Sequence, residues 1–211
     1  MSSFTPAHDE SRGLSAAVAP AASPAQLAGS SELASIKLKL KDNLRHFADF
    51  PIPGIDFVDI MPLFLNPDAH SSLNAALDLQ VKEAFSGKID VVVGLDARGF
   101  LFGPSLALRQ GVSFAPVRKK GKLPGPCVTA AYEKEYGTDF FQMQEDAVKK
   151  GQRVLIVDDI IATGGSAKAA ADLVRQLGGE VVGYLFILEI PGLDGRKKLG
   201  DVPIAILLED A

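Results

Sequence analysis

Residues 154–166 read Val-Leu-Ile-Val-Asp-Asp-Ile-Ile-Ala-Thr-Gly-Gly-Ser, which sets two adjacent carboxylates and a run of small residues directly behind an apolar stretch. The stretch from Val154 to Val157 predicts a buried strand that delivers Asp158 and Asp159 to its carboxyl end. Ala162, Thr163, Gly164 and Gly165 then form a small-residue loop, and Ser166 opens a helix. Successive backbone N–H groups in such a loop, backed by a helix N-terminus, cradle an anion. Gly164 and Gly165 let the backbone approach a phosphate closely, and Thr163 and Ser166 add hydroxyl donors. No lysine follows the glycines, so this is not a P-loop, and there is no G-x-G-x-x-G pattern here. A carboxylate pair beside a bound anion is unfavourable unless the ligand also brings donors or a metal. Ribose 5-phosphate brings both parts: a phosphate for the loop, and 2- and 3-hydroxyls for Asp158 and Asp159. The plainer alternative is that the acids cap a turn that the glycines form. It does not account for strand, acid pair, small loop and helix in succession.

Three further segments carry charge at the ends of apolar runs. Residues 94–104 (Gly-Leu-Asp-Ala-Arg-Gly-Phe-Leu-Phe-Gly-Pro) follow an apolar run that ends at Val93. Arg98 stands at a helix start, where the macrodipole disfavours a cation; a planar guanidinium with several donors suits an oxyanion. Residues 117–125 predict a cationic turn with Arg118, Lys119, Lys120 and Lys122. Charge runs are usually solvated, but this one ends a strand and therefore belongs to the ligand side. Residues 132–137 (Tyr-Glu-Lys-Glu-Tyr-Gly) follow a Gly-Pro-rich stretch and predict a polar loop. Cys127, the sole cysteine, reads as a small loop residue, with no histidine nearby to activate a nucleophile.

The elements that must position these residues alternate between strand and helix. Strands are expected at 89–93, 112–117, 154–157, 181–190 and 204–208. Helices are expected at 31–47, 68–86, 99–110 and 166–177, with Leu73, Ala76, Leu77 and Val81 on one side of the second. Such alternation predicts an α/β fold, a mainly parallel sheet with helices on both faces and ligands beyond the carboxyl ends of the strands. The 211 residues suffice for one domain, taken as 32–211. Residues 1–31 are rich in Ala, Ser and Pro and are expected to form a disordered tail. They have neither the basic start and apolar core of a secretory signal nor the Arg-rich pattern of a transit peptide. Apolar residues are 47% of the chain and charged residues 23%, an ordinary soluble composition. The net charge of −4 argues against nucleic acid as partner, and no apolar run is long enough to span a bilayer. A single cysteine suits a reducing, cytoplasmic setting.

The 154–166 segment resembles the phosphoribosyl-pyrophosphate signature of the type I phosphoribosyltransferases. Segments 94–104, 117–125 and 132–137 are similar to those of the adenine branch of that family. So is 49–60 (Asp-Phe-Pro-Ile-Pro-Gly-Ile-Asp-Phe-Val-Asp-Ile), and the likeness runs from about residue 33 to 208. The resemblance implies a small N-terminal base-binding hood beside the parallel sheet. It implies that Asp158, Asp159, Ala162, Thr163, Gly164, Gly165 and Ser166 bind the ribose 5-phosphate. Asp96, Ala97, Arg98, Arg118, Lys119 and Lys122 would bind pyrophosphate, the cationic turn partly across a dimer interface. Asp56, Phe57 and Val58 would meet adenine through their backbone, and Ile190 would cover it; many members carry Arg where Val58 stands. Tyr132, Glu135 and Tyr136 would belong to a mobile loop around 126–138, with Glu135 and Arg98 catalytic. The implied reaction moves the 5-phosphoribosyl group of phosphoribosyl pyrophosphate to adenine, giving AMP and pyrophosphate in purine salvage. It implies Mg²⁺ held mainly through substrate oxygens, and a homodimer. Two rival readings stay open: transfer to another base, and a non-catalytic regulator that keeps the fold. Such a regulator usually adds a basic DNA-binding element, and residues 1–31 are not basic.

Overall fold

In a computed structural model of the chain, residues 24–50, 53–134 and 137–209 are described. In chain order they form α1 (Pro24–Lys41), β1 (Arg45–Ala48), β2 (Asp56–Asp59), α2 (Pro62–Leu65), α3 (Pro67–Ala84) and β3 (Val91–Leu95). There follow α4 (Gly103–Gln110), β4 (Ser113–Lys119), β5 (Cys127–Lys134), β6 (Gly137–Gln144), β7 (Arg153–Ile161), α5 (Gly165–Gln176), β8 (Glu180–Glu189) and β9 (Ile204–Ile206). Seven strands make one sheet in the order β5-β6-β4-β3-β7-β8-β9. The run from β4 to β9 is parallel, and β5 and β6 are antiparallel additions at one edge. The α/β expectation holds.

Strand periodicity sorts the core into two layers. On β3 and β7, Val91, Val93, Val154 and Ile156 face a cluster completed by Ala167, Ala170, Leu173 and Val174 of α5. Val92, Leu155 and Val157 face the opposite cluster, with Leu73, Leu77 and Val81 of α3 and Leu106 of α4. This is the period-2 alternation of strand side chains, and a fully buried Val, Leu or Ile contributes about 1.5–3 kcal/mol. The four residues expected on one side of α3 are all buried. That helix starts where the Asn66 side chain accepts from the Asp68 and Ala69 N–H groups, ahead of which Pro67 fits the first turn.

Several sequence-based boundaries move. Helix α1 begins at Pro24, inside the stretch 1–31 assigned to a tail, because Ala, Gln and Leu are sound helix formers. Residues 1–23 lie outside the described residues. The same helix stops at Lys41 rather than near residue 47. The Asn43 side-chain amide donates to the Lys39 carbonyl, and Arg45–Ala48 instead pairs with Asp56–Asp59 as an antiparallel ribbon. This ribbon is the hood hairpin. The helix expected over 99–110 splits into a 3₁₀ turn at Arg98–Phe100 and α4, which has Pro104 in its first turn. Arg118 and Lys119, expected in a turn, are strand residues paired with Gln142 and Phe141. The loop expected around 126–138 is instead largely the β5–β6 hairpin, paired from Cys127↔Gln144 to Lys134↔Gly137. Cys127 thus opens a strand.

Candidate active site

The carboxyl ends of β3, β7 and β8 converge on one cavity of about 940 Å³. Asp96, Ala97 and Arg98 enter it from the β3 end. Asp158, Asp159 and residues 160–167 enter it from β7, and Ile190, Leu193 and Lys198 from beyond β8. Lys119 comes from the end of β4, and Tyr132 and Phe141 from the hairpin. This is where an open parallel sheet binds its ligand. Three cations (Arg98, Lys119, Lys198) and three carboxylates (Asp96, Asp158, Asp159) line it.

The loop after β7 has the backbone of an anion site. Gly164 is left-handed, with φ of 76°, and stands immediately before α5. A Cβ there would lie 2.3 Å from the Gly195 carbonyl oxygen, so only glycine fits. No side chain caps the start of α5, and its first N–H groups therefore remain free to meet a ligand in the cavity. Thr163 and Ser166 bring their hydroxyls to the same lining.

The acid pair is divided in its roles. Asp159 is buried, and its Oδ2 accepts from Arg98 Nε. Asp158 Oδ1 accepts the Asp159 N–H at 2.9 Å. Burial pushes the Asp158 carboxyl well above the usual carboxylate range, and the neighbouring Asp159 charge adds to the rise. Burial alone would lower the Arg98 guanidinium, but its hydrogen bond to Asp159 and the two carboxylate charges outweigh that and raise it. A second ion pair joins Arg118 Nε to Asp96 Oδ2 at 3.2 Å, and Arg118 also donates to the Lys122 carbonyl at 3.3 Å. The Asp96–Ala97 peptide between these groups is cis.

The residues expected to bind phosphate and ribose, and most of those expected to bind pyrophosphate, thus line one cavity. Others do not. Arg118 reaches the site only through Asp96, and Lys122 is exposed outside the lining. Asp56, Phe57 and Val58 lie on β2, outside the cavity lining. Asp56 pairs with His46, Phe57 packs edge-on to Phe50 at 5.2 Å, and Val58 packs against the core. Ile190 does line the cavity, and its N–H donates to the Ile161 carbonyl at 2.9 Å. Tyr132 is a buried strand residue rather than a loop residue: its ring stacks on Phe141 at 4.5 Å, and its hydroxyl donates to Asp139. Glu135 and Tyr136 lie outside the described residues. The sequence did not single out Phe186, Leu193 or Lys198. Lys198 belongs to an Arg-Lys-Lys run that looks like a solvated face, and the signal overlooked was the glycine before it, Gly195, packed on the phosphate loop.

Comparisons with known proteins agree with this geometry. The family model of the phosphoribosyl transferase domain matches residues 70–201. The chain is 56% identical over 168 residues to the adenine phosphoribosyltransferase of Yarrowia lipolytica, covering 79% of this chain and 92% of that one. It is 51% identical over 166 residues to the adenine phosphoribosyltransferase of Mus musculus, with the same coverage, 79% and 92%. A crystal structure of the Saccharomyces cerevisiae adenine phosphoribosyltransferase, complexed with adenine and an imino-altritol bisphosphate, superposes with a TM-score of 0.79 at 52% identity. That match covers 83% of this chain and 99% of the yeast one.

Proposed function

The chain belongs to the adenine phosphoribosyltransferases, within the phosphoribosyl transferase family, and from that premise we propose how its residues divide the reaction. The enzyme transfers the 5-phosphoribosyl group of phosphoribosyl pyrophosphate to adenine, giving AMP and pyrophosphate. The observation that carries the division of labour is the acid pair and the uncapped α5 N-terminus opening on the same cavity.

In this reading the 162–166 backbone and the Thr163 and Ser166 hydroxyls hold the 5-phosphate, and Asp158 and Asp159 accept from the ribose hydroxyls. As the C1–O bond breaks, the ring gains positive character and pyrophosphate departs with the bonding electrons. Arg98, Lys119 and the Arg118–Asp96 pair meet that departing charge. Arg98 and Arg118 are held by existing ion pairs, so little reorganisation of these two is needed when the charge develops. Lys122 would serve from outside the lining. Glu135 would stabilise the cationic ring or manage the base's proton, with Tyr132 and Tyr136 near it in sequence.

Adenine would be covered by Ile190 and read by the backbone of residues 56–58. Strand β2 is one of only two strands in its ribbon, so its outer edge offers N–H and C=O groups to a ligand. The reading requires the hood to meet the cavity on its Ile190 side. Mg²⁺ would be held mainly through substrate oxygens and water, as this hard ion commonly is with phosphates. The ion would neutralise pyrophosphate charge. Cytoplasmic location and a homodimer belong to the same proposal.

The test is Asp158→Asn combined with Asp159→Asn. The double variant is expected to keep its fold, read by circular dichroism, and to lose turnover by about two orders of magnitude or more, the scale of removing groups that position a reacting substrate. Wild-type turnover would overturn the ribose assignment.

A further inference from the structure

Strand β8 ends at Glu189, and the chain then runs through an exposed turn, residues 191–194, before the short 3₁₀ helix Gly195–Leu199. This segment touches the site at three places. Leu193 and Lys198 line the cavity. Gly195 packs so closely on the phosphate loop that a Cβ there would lie 2.2 Å from the Ala162 carbonyl oxygen. The third contact is Arg196, which turns back onto Glu189: its Nε lies 2.9 Å from Oε1 and 2.8 Å from Oε2, and its Nη2 lies 2.5 Å from Oε2. Glu189 adjoins Ile190, whose N–H is fixed to the Ile161 carbonyl.

We propose that Arg196, through its forked ion pair with Glu189, is a positioning residue for the base end of the site, holding the 191–194 turn so that Leu193 stands beside Ile190 over the adenine ring. The inference rests on the reading of Ile190 as a base contact. The turn leaves β8 at Glu189 and returns at Arg196, so the pair closes its two ends like a clasp. Leu193 is 44% exposed, and the clasp is what limits where the turn can carry it. The Gly195 contact fixes the far end of the segment against the phosphate loop, and Asp194 is held by the Lys197 N–H at 3.1 Å and the Lys197 ammonium at 2.6 Å, so the Arg196–Glu189 pair adds the tie to the β8 end. Both partners are partly exposed, 42% for Arg196 and 28% for Glu189. An ion pair so placed contributes little to global stability. Its geometric effect is larger: releasing a forked guanidinium frees the turn while the core stays packed.

Arg196→Gln tests this, with Arg196→Lys and Ile190→Ala alongside. Arg196→Gln is expected to raise KM for adenine about tenfold, a change of about 1.4 kcal/mol in binding. Both kcat and KM for phosphoribosyl pyrophosphate should stay within about twofold, and Tm should fall by no more than about 2–4 °C. Arg196→Lys keeps the charge without the fork and should recover only part of the adenine KM. An unchanged adenine KM in Arg196→Gln, or two substrate KM values rising together, would overturn the inference. If Ile190→Ala raises the adenine KM while Arg196→Gln does not, the clasp fails and the base contact stands. If Ile190→Ala changes nothing, the base reading fails, and this inference with it.

Discussion

Asp158 shows how the site trades stability for function at the scale of one residue. Its carboxyl is raised by burial first and by the Asp159 charge second, so ionising it works against the folded state. The sign follows from linkage. A group whose folded pKa lies above its unfolded value stabilises the fold fully below the unfolded value, about 3.9 for Asp. That contribution is lost as pH rises through the folded value. At neutral pH the penalty is therefore in force, and Asp158→Asn should raise Tm by a few degrees while impairing turnover. Thermal melts across pH check this: the gain should shrink as pH falls toward about 4. A melting temperature that drops at neutral pH would mean that Asp158 is a structural cap and not a strained functional acid. Asp159 is different, because Arg98 neutralises it, and its removal would strand a half-buried guanidinium.

At the scale of elements, the β5–β6 hairpin carries Tyr132 and Phe141 into the cavity wall, and its two strands are joined through Glu135 and Tyr136. If Glu135 acts mainly in the transition state, Glu135→Ala should lower kcat by about 10²-fold or more with a smaller rise in KM. Steady-state kinetics decide it; an unchanged kcat would make Glu135 an ordinary hairpin residue. This hairpin was also the element least legible in the sequence. Tyr132 and Phe141 alternate correctly with polar neighbours, but the Gly-Pro-rich lead-in at 121–126 and the charges at 133–135 mask that alternation. The ribbon of β1 and β2 was missed for a related reason: its strands are four residues long, exposed along β1, and separated by a Pro-Gly segment that dominates the local pattern. By contrast α5 was legible almost in full and β7 in its apolar half, although the strand runs on through Asp158 to Ile161. Val154–Val157 is apolar throughout because both faces of the strand are buried, and α5 places Ala167, Ala170, Leu173 and Val174 at helical spacing. That residues 158–166 line one cavity was legible with them, since these residues are contiguous in sequence. Lys198, Leu193 and the Arg196–Glu189 clasp depend on how the chain after β8 folds back on the β7 loop, which local pattern does not encode.

At the scale of the molecule, one sheet holds three loops in register, so that the residues proposed for phosphate, ribose and pyrophosphate share a cavity while the β1–β2 ribbon stands apart from its lining. On the proposed reading, base choice comes from the edge of β2 and the Ile190 side together. Adenine offers an amino donor at position 6 and an acceptor at N1, which one peptide segment can match with a C=O and an N–H. Val58 faces the core rather than a ligand, and this fits recognition through backbone at residues 56–58. Hypoxanthine reverses both groups, and each unpaired buried polar group costs about 1–3 kcal/mol. The most direct measurement is kcat/KM for adenine, hypoxanthine and guanine under matched conditions. The account predicts that adenine is favoured by on the order of 10²–10⁴ over hypoxanthine, as expected of a site built on paired hydrogen bonds. Comparable values for adenine and hypoxanthine would contradict it.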